Sequence, residues 1–253
     1  MTKPIRWLLT VLTVLASISA PVAAQPSGLV VSVAASVYDA LEEIAGLYRA
    51  TTGVTVSLNA GGSNTLARQI VEGARAGLFI SADARQMDVV EKAGRVVAGT
   101  RTRLLTNELA LVVPADAKAF TIERLLRGEV TRLALGEPGS VPAGVYARAW
   151  LEHEGAWSRL ESKVVPFPTV TAVLTAVESG RVDAGVVYRT DAMRSKSVRA
   201  IGHISSTQHR YLDISYPAAV IAGPSEADAK RFLQFLMGTA ARAVFDRRGF
   251  GKP

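Results

Sequence analysis

Apolar positions along this chain fall alternately into short continuous runs and into helical stripes. Leu29–Ala35 (LVVSVAA) is an apolar run of the kind a strand buried on both faces requires. Val37, Ala40, Leu41, Ile44, Leu47 and Tyr48 then recur at i, i+3, i+4, i+7, i+10 and i+11, one face of a helix that Thr51-Thr52-Gly53 closes. Val54–Asn59 alternates apolar and polar residues and predicts a strand. Gly61-Gly62-Ser63-Asn64 turns into a helix carrying Leu66, Ala67, Ile70 and Val71, and Leu78–Ser81 predicts the next strand, with a helix through Met87, Val90 and Glu91 behind it. The second half repeats the alternation. Strands are predicted at Glu108–Val113, Leu133–Leu135, Ala184–Tyr188 and Tyr216–Ile221, and helices at Pro142–Leu151 and Val170–Val177. A last helix is expected to carry Ala229, Phe232, Leu233, Leu236 and Ala240 on one face. Repeated β-α-β units predict an α/β fold with right-handed crossovers and parallel sheets covered by helices.

The first residues stand outside this pattern. Lys3 and Arg6 precede an apolar run from Trp7 to Ala16, and small residues end it at Val22-Ala23-Ala24. That order predicts a secretory signal peptide over residues 1–24, because the apolar core is shorter than the ~20 residues a membrane span needs. Composition narrows the rest. With 49 % hydrophobic and 20 % charged residues the chain can bury a core, so disorder is excluded. With no cysteine, a disulfide scaffold, a Cys-ligated metal, a thiol nucleophile and a Cys-linked lipid anchor are excluded. Export without such an anchor predicts a freely diffusing periplasmic protein with no membrane insertion. Removing Lys3 and Arg6 with the leader lowers the formal charge from +7 to +5. The remaining arginines are scattered and no aromatic residues interleave with them, so a nucleic-acid partner is not expected.

Catalytic patterns are missing. Ser63 sits in Gly61-Gly62-Ser63-Asn64-Thr65, which is not G-x-S-x-G, and no serine lies three residues before a lysine. His153-Glu154 lacks the second histidine of a zincin, because position 157 is Trp157. No phosphate-binding glycine loop is present. The chain is therefore expected not to be an enzyme and to hold no cofactor and no direct metal ligand. A secreted serine hydrolase using Ser36 or Ser63 is the distant alternative.

Small hydroxyl residues and tight turns do recur before predicted helices. Ser36 is expected at the N-cap of the first helix and Ser63 at that of the second; Pro138–Gly144 and Pro168-Thr169-Val170-Thr171 open two more. Helix N-termini carry unpaired N–H groups and about half a positive charge each. Several of them at the carboxyl ends of strands would suit a small anion or a small polar ligand.

Six stretches carry a family resemblance: Ala34-Ala35-Ser36, Gly62–Ile70 (GSNTLARQI), Leu78–Asp83 (LFISAD), Gly136-Glu137-Pro138 with Val141–Ala147 (VPAGVYA), Gly185–Tyr188 and Phe245–Phe250. In this order they resemble the periplasmic molybdate-binding proteins of ABC transporters, across about residues 29 to 251. The resemblance implies a type II-like two-lobed binding protein with two mostly parallel sheets, flanked by helices and joined by two crossing hinge strands. It implies one lobe from residues 25–108 and 215–253 and the other from 109–214. It also implies a molybdate or tungstate ligand, a permease and an ATPase as partners, and a monomer. Carried over by motif, the oxyanion is held by the Ser36 and Ser63 hydroxyl and N–H groups, the Ala143 and Val170 N–H groups, and the Tyr188 hydroxyl. Another oxyanion such as sulfate is the alternative ligand. Two departures stand out: the doubled Gly61-Gly62 predicts a longer or more pliant loop before Ser63, and Gly77 replaces an aspartate common before LFISAD.

Overall fold

The computed structural model describes residues 28–253, so the leader expected over residues 1–24 lies outside the described residues. The chain opens with β1 (Leu29–Ala34), α1 (Tyr38–Thr52), β2 (Val56–Gly61), α2 (Ser63–Val71), β3 (Leu78–Ile80), α3 (Ala84–Lys92) and β4 (Thr102–Thr106). It continues through β5 (Leu109–Pro114), α4 (Ile122–Leu126), β6 (Leu133–Gly136), α5 (Pro142–His153), α6 (Trp157–Leu160), β7 (Val164–Phe167), α7 (Val170–Glu178), β8 (Ala184–Tyr188), α8 (Arg189–Arg194) and β9 (Val198–Ile204). β10 (Ser215–Val220), α9 (Glu226–Leu236) and α10 (Thr239–Arg247) close it.

These strands form two five-stranded sheets on one plan, β2-β1-β3-β10-β4 and β7-β6-β8-β5-β9. In each sheet the first three strands run parallel, and the fourth (β10 or β5) is antiparallel to both of its neighbours. Wholly parallel sheets, as the β-α-β alternation alone suggested, are therefore corrected to mostly parallel ones. Parallel neighbours need a long crossover, usually a helix. β5 and β10 are instead the strands on which the chain arrives from the other sheet, and nothing binds them to the common direction.

The chain passes between the sheets at Asn107-Glu108 and again over residues 205–214. The two crossings lie side by side, with the Asn107 N–H donating to the Ile214 carbonyl at 3.1 Å.

Burial explains which strands read as apolar runs. On β3, Leu78 and Ile80 enter the main core with Val31, Leu41 and Ile44. Phe79, pointing the other way, packs with Leu66, Ile70, Met87 and Val90 beneath α2 and α3. With both faces covered, no polar position breaks the run. The expected last helix is two helices, because α9 ends at Leu236 and α10 starts after Gly238 in extended backbone, with Ala240 on the second. β4, β7, β9, α4, α6 and α8 add to the predicted elements.

Candidate functional site

All five residues singled out by motif sit where the chain passes from a strand's carboxyl end into a helical turn. Ser36 lies in the 3-10 turn Ala35–Val37 that follows β1. Ser63 is the first residue of α2, Ala143 the second of α5 behind Pro142, and Val170 the first of α7. Tyr188 is the last residue of β8. All five line one cavity of about 20 Å³ between the two sheets. A single water needs about 10–15 Å³, so the space suits a small ligand. Among the described residues, no Lys, Arg, His, Asp or Glu lines it.

Glycines bring the backbone in close. A side-chain carbon on Gly144 would collide with the Gly136 carbonyl, so this glycine lets α5 dock against the end of β6. One on Gly62 would stand 2.8 Å from the Pro168 carbonyl and 2.7 Å from Asn64 Oδ1. Gly62 is thus where the first sheet's loop meets the second sheet's. Asn64 Nδ2 reinforces that contact by donating to Ser140 Oγ at 3.2 Å, and Arg194 pairs with Asp39 across the same boundary at 2.8 Å.

Neither Ser36 nor Ser63 is an N-cap, which corrects that expectation. The first α-helix is preceded by a separate 3-10 turn, and Gly62 occupies the N-cap of α2; neither start has a side-chain cap bond. The distinction matters chemically. A capping hydroxyl's oxygen accepts from its own helix, as Thr169's does from the Ala172 N–H at 3.1 Å. Ser63 Oγ instead accepts from the Ala82 N–H at 3.0 Å, and Ser36 Oγ lies 3.0 Å from the Tyr216 hydroxyl. The Tyr188 hydroxyl donates to the Ala82 carbonyl at 3.4 Å, a long bond. Burial pushes the Tyr188 pKa well above its ordinary value, so the group stays a neutral phenol. Asp83, which caps α3 through the Gln86 N–H at 2.9 Å, does not line the cavity, and burial raises its pKa.

The cavity can therefore offer an electron-rich guest N–H groups from helix starts and the Ser36 and Ser63 hydroxyls, with the Tyr188 proton available once it gives up its long bond to the Ala82 carbonyl. First-turn N–H groups have no acceptor within their own helix. The doubled glycine forms no longer loop: β2 runs through Gly61 and α2 starts directly after Gly62. Gly77 lies away from the cavity, where its N–H donates to the Val30 carbonyl at 2.8 Å. The sequence reading missed Ala82, Tyr216 and Asn107. A tyrosine inside the apolar run Ser215–Val220 was the available signal, since a buried phenol must find a polar partner.

The sequence profile of bacterial extracellular solute-binding proteins matches residues 29–251. The chain belongs to that family. Among relatives of this solute-binding protein, the molybdate-binding protein ModA of Escherichia coli is 39 % identical over 230 residues, covering 88 % of each chain. Among solved structures, the periplasmic molybdate-binding protein of Azotobacter vinelandii superposes with a TM-score of 0.80 at 24 % identity, over 89 % of this chain and 99 % of that one. The sulfate-binding protein SubI of Mycobacterium tuberculosis superposes with a TM-score of 0.75 at 17 % identity, over 88 % and 86 %. At those identities the two structures bear on the fold alone. Both agree with a two-lobed α/β binding protein.

Proposed function

We propose that this solute-binding protein captures molybdate, and tungstate as well, in the cavity between its two sheets and delivers it to an ABC permease and its ATPase. The observation that carries the reading is the convergence of Ser36, Ser63, Ala143, Val170 and Tyr188 on one cavity without any charged side chain. The bound group is the whole oxyanion, held through its oxygens, with no protein atom on the metal. Molybdate, tungstate and sulfate are dianions at neutral pH and offer only acceptor oxygens. Hydrogen bonds to a charged group contribute about 1.5–3 kcal/mol each, and prearranged dipoles offset the cost of desolvating the dianion. The names of the curated relatives support molybdate over sulfate.

In this reading residues 25–108 with 215–253 form one lobe and 109–214 the other, and the pair closes on the ion about the two crossings. Capture needs no bond-making step, and the protein acts as a periplasmic monomer. Ligand stabilises the closed form only as far as it binds that form more tightly than the open one. Thermal unfolding tests the proposal. Molybdate at about a hundred times its Kd adds about 2.7 kcal/mol, a rise of about 5–11 °C for a chain this long. Sulfate at the same concentration is expected to change little. A rise with sulfate and none with molybdate or tungstate would assign the cavity to another oxyanion.

A further inference from the structure

Behind Ser36, away from the cavity, stands a buried chain of hydrogen bonds that the oxyanion reading does not use. The Glu108 N–H donates to Asn107 Oδ1 at 2.9 Å, and a backbone N–H can only donate, so this contact fixes which way the amide of Asn107 points. Asn107 Nδ2 must then face the other way. It donates to Thr190 Oγ1 at 2.9 Å and to the Tyr216 hydroxyl oxygen at 3.3 Å. Tyr216 is fully buried and burial drives its pKa up, so its oxygen keeps its proton. Ser36 Oγ, at 3.0 Å, is the acceptor that the hydrogen-bond geometry gives that proton. The reverse arrangement, with Ser36 donating to Tyr216, would turn the buried Tyr216 O–H away from its 3.0 Å partner.

We propose that Asn107 and Tyr216 are positioning residues that hold the Ser36 hydroxyl as a donor aimed at the cavity, and so commit this edge of the site to oxyanions that carry no proton. The inference rests on the oxyanion-receptor reading above and deepens it. Ser63 is held in the same sense, because its oxygen already accepts from the Ala82 N–H. A free serine can turn and accept a proton from a guest; a serine whose oxygen already accepts one buried hydrogen bond has its proton free to give and only one lone pair left, so the network favours donation. Hydrogen phosphate, which has a proton to donate near neutral pH, then meets donors where it needs an acceptor. The device also ties ligand recognition to the crossing between the sheets, since Asn107 lies on that crossing and Thr190 on α8.

A double-mutant cycle on molybdate affinity, measured calorimetrically, tests this. Tyr216→Phe keeps the ring that packs 5.6 Å from both Tyr188 and Phe250 and removes only the hydroxyl. It is expected to weaken molybdate about fivefold in the otherwise unchanged protein and to change nothing in a Ser36→Ala background. A second variant guards against a trivial loss. Asn107→Asp turns a donor into an acceptor, so Tyr216 donates to residue 107 and Ser36 must give its proton to Tyr216. Its loss should exceed that of Tyr216→Phe and shrink when Ser36 is alanine, where only the added charge remains. Equal losses in the two backgrounds, or full affinity in Tyr216→Phe, would overturn the inference and leave the receptor reading standing. No molybdate binding by the unaltered protein would overturn both.

Discussion

The two sides of the cavity present donors by different means. On the first-sheet side, Ser36 and Ser63 offer side-chain hydroxyls, each already engaged from behind by a protein donor. On the second-sheet side, Ala143 and Val170 have apolar side chains and can offer a guest only the N–H groups of two helix starts, beside the Tyr188 hydroxyl and the Thr169 hydroxyl that caps α7. One side can be retuned by an ordinary substitution. The other is indifferent to the side chain as long as the backbone holds its course. Recognition on the second side is thus set by where β6 and β7 end and how closely α5 docks, which is the part that Gly144 secures.

The sharpest way to break the symmetry is at Ser63. Ser63→Ala removes a donor to the ion and also leaves the buried Ala82 N–H without its partner. Molybdate affinity is expected to fall by about tenfold to a hundredfold by calorimetry, with Ser36→Ala toward the lower end. Retained affinity in both variants would show that this side acts through the Ser36 and Ser63 N–H groups and not through the hydroxyls.

The backbone side yields only to proline. Val170 is the first residue of α7, where proline fits the helix and its missing N–H costs the helix nothing, and Thr169 before it is already extended at φ −146° and ψ 157°. Val170→Pro is therefore expected to weaken molybdate about tenfold. Val170→Ala, which keeps the N–H, should stay within about twofold in affinity while lowering the melting temperature through lost core packing. If alanine weakened binding as much as proline, side-chain packing and not the N–H would be what the second side supplies.

The same contrast marks what could be read from the sequence. Ser36, Ser63 and Tyr188 carry their chemistry in the side chain, and motif and residue type pointed to them. Ala143 and Val170 carry none, and only the resemblance together with the predicted helix starts picked them out. Tyr216 and Asn107 were missed because no local pattern brings a strand residue 180 positions away, or a residue on the crossing, behind the turn at Ser36. Among the strands, Leu29–Ala34 and Ala184–Tyr188 were legible as buried runs. β4, β7 and β9 were not, and all three lie at sheet edges. An edge strand is half exposed and tolerates polar residues and even proline, as β7 does with Pro166, so the apolar signal is diluted. The N-cap assignments failed because a serine before a helix looks the same whether it caps that helix or leans on a neighbouring segment.

The smallest effect on binding is expected from pH, and it separates the cavity from the helix beside it. No carboxylate, histidine or lysine lines the cavity, and Tyr188 stays protonated far above neutrality, so molybdate affinity should hold within about twofold between about pH 6 and pH 8. Three residues beyond Tyr188, Asp191 is fully buried and its pKa is raised to about 7, chiefly by burial, with Arg194 opposing the shift and Asp39 adding to it. Folded protein keeps a proton on Asp191 that the unfolded chain releases near the ordinary value of 3.8. Raising the pH between those two values therefore favours unfolding, by about 1 kcal/mol per pH unit, and the effect levels off above about pH 7. Asp191→Asn keeps a neutral side chain at that position. Relative to the unaltered protein, its melting temperature should gain steadily from about pH 4 to pH 7 and then run parallel. Parallel profiles throughout would mean that Asp191 ionises at its ordinary pKa, held as a carboxylate by Arg194. A pH-dependent affinity with an unchanged stability profile would move the titrating group from α8 into the cavity itself.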